Sequence, residues 1–215
     1  MEQKCFLNPL FTTHFFRWWQ LQITMKEQIE AFIYLRVKTA KEKEVKDILA
    51  IFEEKVYKKG TLFKEQDTII QHLGFLASGS ARSYFINDNA DEITNEILQA
   101  NNFLSDIISV RTKEKSPIVI EMLEQSNVLV APMEKVFELL TQNITFNILI
   151  REYMGDRAMQ LVKYHLLFLN GSSKQRYDYL TETNPSLFNK FPLRFIASII
   201  GVTPTQLSRL RNKKS

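Results

Sequence analysis

After an N-terminal stretch without a clear period, the hydrophobic residues take up helical spacing. Between residues 26 and 37 they recur at three- and four-residue intervals, as on one face of a helix: Ile29, Phe32, Ile33 and Val37. Thr39 and Glu42 have the spacing of a capping box, which predicts that a second helix begins there. The apolar face of that second helix is Val45, Ile48, Leu49 and Phe52.

The pattern changes between residues 56 and 131, where short apolar runs alternate with turn-forming clusters. The predicted strands are residues 62–63, 69–76, 81–86, 93–98, 118–123 and 128–130. The clearest turns are residues 87–91 and 125–127, which are rich in Asn, Asp and Ser. Such regular spacing of short strands predicts an antiparallel sandwich or barrel.

Helical spacing returns at Pro132 and persists from about residue 145 to 169. A seam with one charged interruption runs along this segment: Ile150, Met154, Arg157, Leu161, Tyr164 and Phe168. Alternating intervals of four and three are typical of a coiled coil, so we expect a long helix that pairs with a second copy of the chain. Burial of the same seam in the chain's own core is the alternative interpretation.

Residues 191–214 predict two short helices joined by a tight turn. The inner face of the first helix, which begins after Pro192, consists of Ile196, Ala197 and Ile200. Gly201 provides the backbone freedom that a sharp corner needs. Thr203 is a good N-cap and Pro204 is favoured at the first helical position, so the second helix begins there.

The second of these helices has a narrow apolar edge, formed by Leu207 and Leu210. Its other side chains must point away from that edge: Thr205, Gln206, Ser208, Arg209 and Asn212. A helix with such an outer face fits the major groove of DNA, so the segment is interpreted as a helix-turn-helix. An ordinary pair of packed surface helices is the alternative.

Charge supports the interpretation as a DNA-binding unit. The formal net charge of the 215 residues is only +4, but the segment from Gly171 onward carries eight basic and two acidic residues. Concentrated positive charge is expected of a surface that meets phosphates. A single cysteine excludes a disulfide framework and a multi-thiolate cluster, and no apolar run is long enough to cross a bilayer. We therefore expect a cytoplasmic protein without a membrane partner.

Helices, a small β-barrel, a long helix and a helix-turn-helix, in that order, resemble the Crp/Fnr family of transcription regulators. The resemblance covers residues 26–215 and is strongest in residues 175–180 and 185–211, which are similar to Bacteroidetes members. It implies an α+β fold: an N-terminal antiparallel β-barrel or jelly-roll sensor domain, a long dimerisation helix, and a C-terminal helical, winged-helix-like helix-turn-helix domain. The expected boundaries are 25–142, 143–170 and 171–215.

Residues 1–24 contain both tryptophans and four phenylalanines without a clear period. We interpret them as an N-terminal extension that does not join the fold, with translation of the native protein beginning at Met25. An amphipathic arm that docks on the body is the alternative.

The resemblance assigns roles to individual positions. Base-reading positions would be Thr205, Gln206 and Arg209, on a palindromic DNA site. Phosphate-contacting positions would be Thr203, Ser208, Arg211, Asn212 and Lys213. The long helix would form a homodimer through Ile150, Met154, Leu161, Tyr164 and Phe168. RNA polymerase is a further partner that the resemblance implies.

The resemblance breaks down at the effector site. Members that bind cyclic AMP carry Gly-Glu-x-x-Leu followed by Arg-Ser/Thr-Ala, whereas this chain has residues 104–106 (Leu-Ser-Asp) and Ser116-Pro117 at those places. A buried phosphate needs a charge-assisted partner, so cyclic AMP is not expected. A pocket for another small-molecule effector, or ordinary surface loops, would account for the polar residues nearby: Ser105, Asp106, Arg111 and Ser116.

We expect no cofactor and no metal, because the strand region contains His72 as its single histidine. The same scarcity argues against a cupin-like metalloenzyme, and no catalytic constellation stands out. The expected function is a dimeric, sequence-specific DNA-binding regulator that is not an enzyme. A ligand-sensing or scaffold protein that acts through protein–protein contacts is the alternative.

Overall fold

The computed structural model describes residues 23–212. Of the proposed N-terminal extension, only residues 23 and 24 fall within this range. The first helices are α1 (Met25–Arg36) and α2 (Glu42–Ala50). The strands are β1 (Glu53–Tyr57), β2 (Leu62–Lys64), β3 (His72–Ser78), β4 (Ser80–Ile86), β5 (Glu92–Gln99), β6 (Asn102–Leu104), β7 (Val119–Met122) and β8 (Ser126–Pro132).

Between β6 and β7 lies α3 (Ile107–Thr112), and residues 133–212 contain helices alone. These are α4 (Met133–Gln142), α5 (Ile144–Asn170), α6 (Ser173–Thr183), α7 (Leu187–Lys190), α8 (Leu193–Ile199) and α9 (Pro204–Asn212). The predicted α+β architecture is thereby confirmed, with a β-rich first half, one helix of 27 residues and a helical C-terminal unit.

The strands form two four-stranded antiparallel sheets, in the orders β1-β8-β3-β6 and β2-β7-β4-β5. The apolar core between the two sheets includes Leu76, Leu104, Ile120 and Val128, all without exposed surface. This arrangement is the sandwich that the regular spacing of the strands predicted.

The central strands of the first sheet, β3 and β8, are buried on both faces. Successive residues of β8 alternate between two cores: Val128 and Val130 join the core between the sheets, while Leu129 and Ala131 face the helices. On the helical side, Phe75 packs with Phe32 of α1, their ring centroids 5.2 Å apart. Helices α1, α2, α4 and α5 therefore form a third layer on this sheet.

Tyr153 fixes the long helix α5 to the sheet. Its hydroxyl accepts a hydrogen bond from the Phe103 amide at 3.1 Å and donates one to Asn102 Oδ1 at 3.3 Å. Burial raises the pKa of Tyr153, so the phenol stays protonated and able to donate. The Tyr153 and Phe103 rings also meet edge to face, with centroids 5.0 Å apart.

Two local predictions are wrong. Helix α2 begins at Glu42 with Lys41 as its N-cap, and Lys41 makes no side-chain cap, so Thr39 does not open a capping box. The capping box of this region lies instead at Thr24 and Glu27, before α1. Strand β8 begins at Ser126, inside the predicted turn of residues 125–127.

Replacing Tyr153 by Phe removes the partner of the buried Phe103 amide. We expect Tyr153→Phe to lower the free energy of unfolding by about 1–2 kcal/mol, measured by urea denaturation. Tyr34 is 38 % exposed, so Tyr34→Phe is the matched control and should change this free energy little. Equal stability of Tyr153→Phe and the wild type would contradict the anchoring role.

Candidate nucleic-acid interface and effector loop

The C-terminal unit contains the predicted helix-turn-helix. Helix α8 ends at Ile199, and Gly201 adopts a left-handed backbone with φ of 65°. The Val202 amide donates to the Ala197 carbonyl at 2.9 Å, which closes the turn before α9. Ala197, Ile200 and Leu207 have no exposed surface, so the two helices share one core.

The outward face of α9 is opposite the buried Leu207. Thr205, Arg209 and Asn212 occupy the centre of that face by helical spacing, with Ser208 and Gln206 at its sides. All five side chains belong to exposed residues. The predicted base-reading positions Thr205, Gln206 and Arg209 are thus exposed on the same helix as the predicted phosphate contacts Ser208 and Asn212.

The structure uses Gln206 differently from the prediction. Its Oε1 accepts hydrogen bonds from the Thr203 amide at 2.9 Å and from Thr203 Oγ1 at 3.3 Å, while Thr203 Oγ1 accepts one from the Gln206 amide at 3.2 Å. These contacts form a capping box at the start of α9. Gln206 would have to leave the cap before it could bind adenine with both ends of its amide.

The predicted phosphate contacts differ in their exposure. Thr203, Ser208 and Asn212 are exposed, whereas Arg211 is half-buried. Lys213 lies outside the described residues. The Thr203 amide is occupied by the cap and Pro204 has no N–H, so few amides at this end are available to an anion.

The helix-turn-helix unit rests on the outer face of the second sheet. Arg82 of β4 lies between two rings, 4.0 Å from the Tyr84 centroid and 4.3 Å from that of Phe195 in α8. Its guanidinium also pairs with Glu92 and Glu121, each at 2.6 Å. Arg82 was not predicted from the sequence, although a charge in the middle of a buried strand is a signal that could have revealed it.

Three further polar contacts join the C-terminal helices to the second sheet and its turns. Ser198 Oγ donates to the Thr94 carbonyl of β5 at 3.0 Å, and Gln99 Nε2 donates to Ser186 Oγ at 3.1 Å. Lys190 Nζ lies 2.6 Å from Glu124 Oε1. Burial would raise the pKa of Glu124, but hydrogen bonds from Lys190 and Ser80 outweigh it and hold this pKa below its usual range.

The end of α5 holds the same unit from another side. Tyr164 Oη donates to the Ile199 carbonyl at 2.6 Å, and burial raises the pKa of Tyr164, which keeps this donor protonated. Arg176 of α6 donates to the carbonyls of Gly171 and Ile200, both at 2.8 Å. Arg176 therefore bridges the end of α5, at Gly171, to the turn between α8 and α9.

The predicted dimer positions on α5 divide into two groups. Ile150 and Tyr164 are half-buried and pack against this chain's own cores. Arg157, inside the same seam, pairs with Glu96. Met154, Leu161 and Phe168 are exposed, with Leu161 at 70 %. Half of the predicted seam thus packs against other parts of this chain. The exposed apolar surface of α5 is centred on a different side of the helix from the predicted seam.

The four effector-pocket candidates also separate. Asp106 and Ser116 are buried, whereas Ser105 and Arg111 lie at the surface. Asp106 caps α3, its Oδ1 accepting from the Ile108 amide at 3.1 Å, and its Oδ2 lies 3.4 Å from Lys64 Nζ. Lys64 was not singled out in the sequence, and its place in a short apolar strand gives little sign of its role.

A polar cleft of about 260 Å³ lies elsewhere, between α5 and the end of α1. It is lined by Arg36, Asn102, Tyr153, Asp156, Arg157, Met159, Gln160 and Lys163. Within residues 23–212, no group of three or more His, Cys, Asp or Glu side chains could hold a metal ion. The helices of the same range include none that is long and apolar enough to span a bilayer.

A side chain at position 201 would face two obstacles. The left-handed φ disfavours any Cβ, and a Cβ built there would lie 2.8 Å from the Phe168 ring. We expect Gly201→Ala to cost about 1–3 kcal/mol of unfolding free energy. In a Phe168→Ala background, the cost of Gly201→Ala should fall to the contribution of the left-handed backbone alone. A double-mutant cycle by urea denaturation measures this difference. Equal costs in both backgrounds would show that Phe168 does not restrict the turn.

Comparison with known proteins places this geometry in context. Residues 54–143 match the family described as cyclic nucleotide-binding domain. No curated protein sequence matches the chain significantly. A CooA mutant from Carboxydothermus hydrogenoformans is similar in structure, with 18 % identity, 83 % of this chain and 82 % of that chain covered, and a TM-score of 0.64.

Two further solved structures share the arrangement. The c-di-GMP responsive global regulator CLP from Xanthomonas campestris has 13 % identity over 80 % of this chain and 91 % of its own, with a TM-score of 0.62. A protein described as a regulator of the crp/fnr family from Eubacterium rectale has 18 % identity over 80 % and 82 %, with a TM-score of 0.61. The chain therefore has the fold of these regulators, as its sequence resemblance implied, and its residues 54–143 are similar to cyclic nucleotide-binding domains.

Proposed function

We propose that the chain is a transcriptional regulator of the Crp/Fnr type, without enzymatic activity, that binds a palindromic DNA site as a homodimer in the cytoplasm. The observation that carries the proposal is the outward face of α9, where Thr205, Arg209 and Asn212 are exposed opposite Leu207. A helix held by its apolar edge and free on its polar face can enter a major groove without rearrangement.

The chemistry of this face supports sequence-specific contact. An arginine can fork onto O6 and N7 of guanine, and a threonine can contact a base edge or a thymine methyl. Because the cap already uses Gln206 Oε1, we assign base reading chiefly to Thr205 and Arg209. We assign Ser208, Asn212, Thr203, Arg211 and Lys213 to the phosphates, which position the protein without specifying the sequence.

The exposed side of α5 supports a homodimer. Four residues at intervals of four, three and four form a stripe that is exposed in the described chain: Ala158, Val162, His165 and Leu169. Leu161 and Leu166 flank it, and the four large apolar side chains of this surface are 54–70 % exposed. Large exposed apolar patches mark interaction sites, and this spacing suits a parallel two-stranded coiled coil.

A ligand-sensing or scaffold protein that docks on other proteins is the second candidate. The salt dependence of binding to a short duplex separates the two, because each phosphate contact releases counterions and steepens the slope. RNA polymerase remains a proposed partner of the DNA-bound form. Selection of binding sites from random duplexes with the purified protein would supply the operator for every measurement below.

Arg209→Ala tests the base-reading assignment. We expect a loss of about 1–3 kcal/mol per half-site at one base pair of the selected operator, with non-specific DNA binding much less affected. Fluorescence anisotropy against the operator and its single-base-pair variants measures both quantities. Arg151→Ala is the matched control, because it removes the same charge from an exposed ion pair on α5. An equal loss on every DNA sequence would refute the assignment.

Val162→Lys tests the proposed dimer surface. Two lysines facing each other across an apolar seam should raise the dimer dissociation constant by roughly two orders of magnitude and weaken operator binding in parallel. Sedimentation velocity and anisotropy provide the two measurements. Gln160→Lys adds the same charge on the opposite side of α5 and should leave both unchanged. Unaltered dimerisation of Val162→Lys would place the interface elsewhere.

A further inference from the structure

The loop of residues 105–118, called here the effector loop, is attached to the segment of residues 64–70 at Ser109 and at Ser116. The Ile70 amide donates to Ser109 Oγ at 3.2 Å. The Asp67 amide donates to the Ser116 carbonyl at 3.0 Å, and the Ser116 amide donates to the Thr68 carbonyl at 3.2 Å. These bonds hold both sides of the loop against one short segment, in which Thr68 and Ser116 form an isolated β-bridge.

Lys64 closes the attachment from inside. Its side chain is 1 % exposed, and Nζ donates to the carbonyls of Glu65, Ser116 and Ile118 at 3.1, 3.2 and 2.6 Å. An ammonium has three N–H groups, so these three acceptors use its donor capacity completely. The carboxylate of Asp106, also 1 % exposed, supplies the opposing charge at 3.4 Å.

The buried polar groups of the loop are likewise satisfied from within. Ser116 Oγ accepts from the Ile118 amide at 3.2 Å, and Ser109 Oγ donates to the Asp106 carbonyl at 3.4 Å. Asp106 Oδ2 is the one buried side-chain oxygen of the loop without a hydrogen bond in the described chain, and it faces Lys64. An anion that entered here would meet a carboxylate and a cation whose donors are already occupied, which opposes binding.

We infer that Lys64 is a built-in clasp that holds the effector loop closed, so that the regulator binds its operator without a small-molecule effector. The lysine links the start of α3, through Asp106, to the end of the loop, through Ser116 and Ile118. An internal ion pair and the hydrogen bonds of Lys64 thereby order this loop without a bound molecule. The DNA part of the inference rests on the proposed function, whereas the clasp itself does not.

Hydrogen exchange tests the clasp without DNA. Lys64→Met leaves Asp106 buried without its countercharge, so amide exchange in residues 106–118 should accelerate by about tenfold or more relative to the wild type. Asp106→Asn keeps the cap on α3 and should loosen the same amides if Lys64→Met does not fold. Lys59→Met, at an exposed neighbouring position, is the control. Unchanged exchange in the loop of both clasp variants would overturn the inference.

Effector independence is tested on wild-type protein unfolded in denaturant, dialysed and refolded, with cyclic AMP and cyclic GMP as probes. We expect full operator affinity in the stripped protein, and no change in melting temperature or affinity when either nucleotide is added at millimolar concentration. A rise of about tenfold in operator affinity with a probe, or loss of specific binding on stripping that a probe restores, would overturn it. Failure to bind any DNA in every condition would instead refute the proposed function and leave the clasp to be decided by hydrogen exchange.

Discussion

The first sheet buries both faces of its central strands β3 and β8, and this burial positions the rest of the molecule. Its strands carry apolar side chains alternately toward the second sheet and toward the helices, as Val128 and Leu129 do in β8. The helical layer covers the apolar side chains that these strands direct away from the second sheet. Tyr153 fixes α5 to the sheet through the Phe103 amide, and the C-terminal helices follow this anchored helix along the chain.

The sequence predicted the elements whose local pattern is strong. Helices α1, α4 and α5 and most strands follow apolar spacing, and Gly201 with Thr203-Pro204 indicates the turn of the helix-turn-helix. Strand β1 was missed because residues 53–56 are all exposed and mostly charged, so it has no apolar alternation to detect. Strand β6 has three residues, too few to establish a period.

The site was predicted in part for a related reason. The outward face of α9 depends on local helical spacing, which the sequence contains. The roles of Lys64 and Arg82 depend on partners far along the chain, Asp106 and Phe195, which no local pattern connects. The side of α5 that faces the rest of the chain also depends on distant partners, because Arg157 pairs with Glu96 and Tyr164 donates to the Ile199 carbonyl. The seam predicted from the sequence therefore includes two residues that contact this chain itself.

Strand β5 forms one border of its sheet, and the Thr94 carbonyl on it is taken by Ser198 of α8. A strand at such a border offers unpaired backbone groups to any other chain, which is a common origin of aggregation. The C-terminal helical unit therefore also covers this edge of the β-sandwich. A truncated protein that ends before residue 171 would expose this edge strand. The solubility of the β-sandwich therefore depends on the attachment of the C-terminal helices.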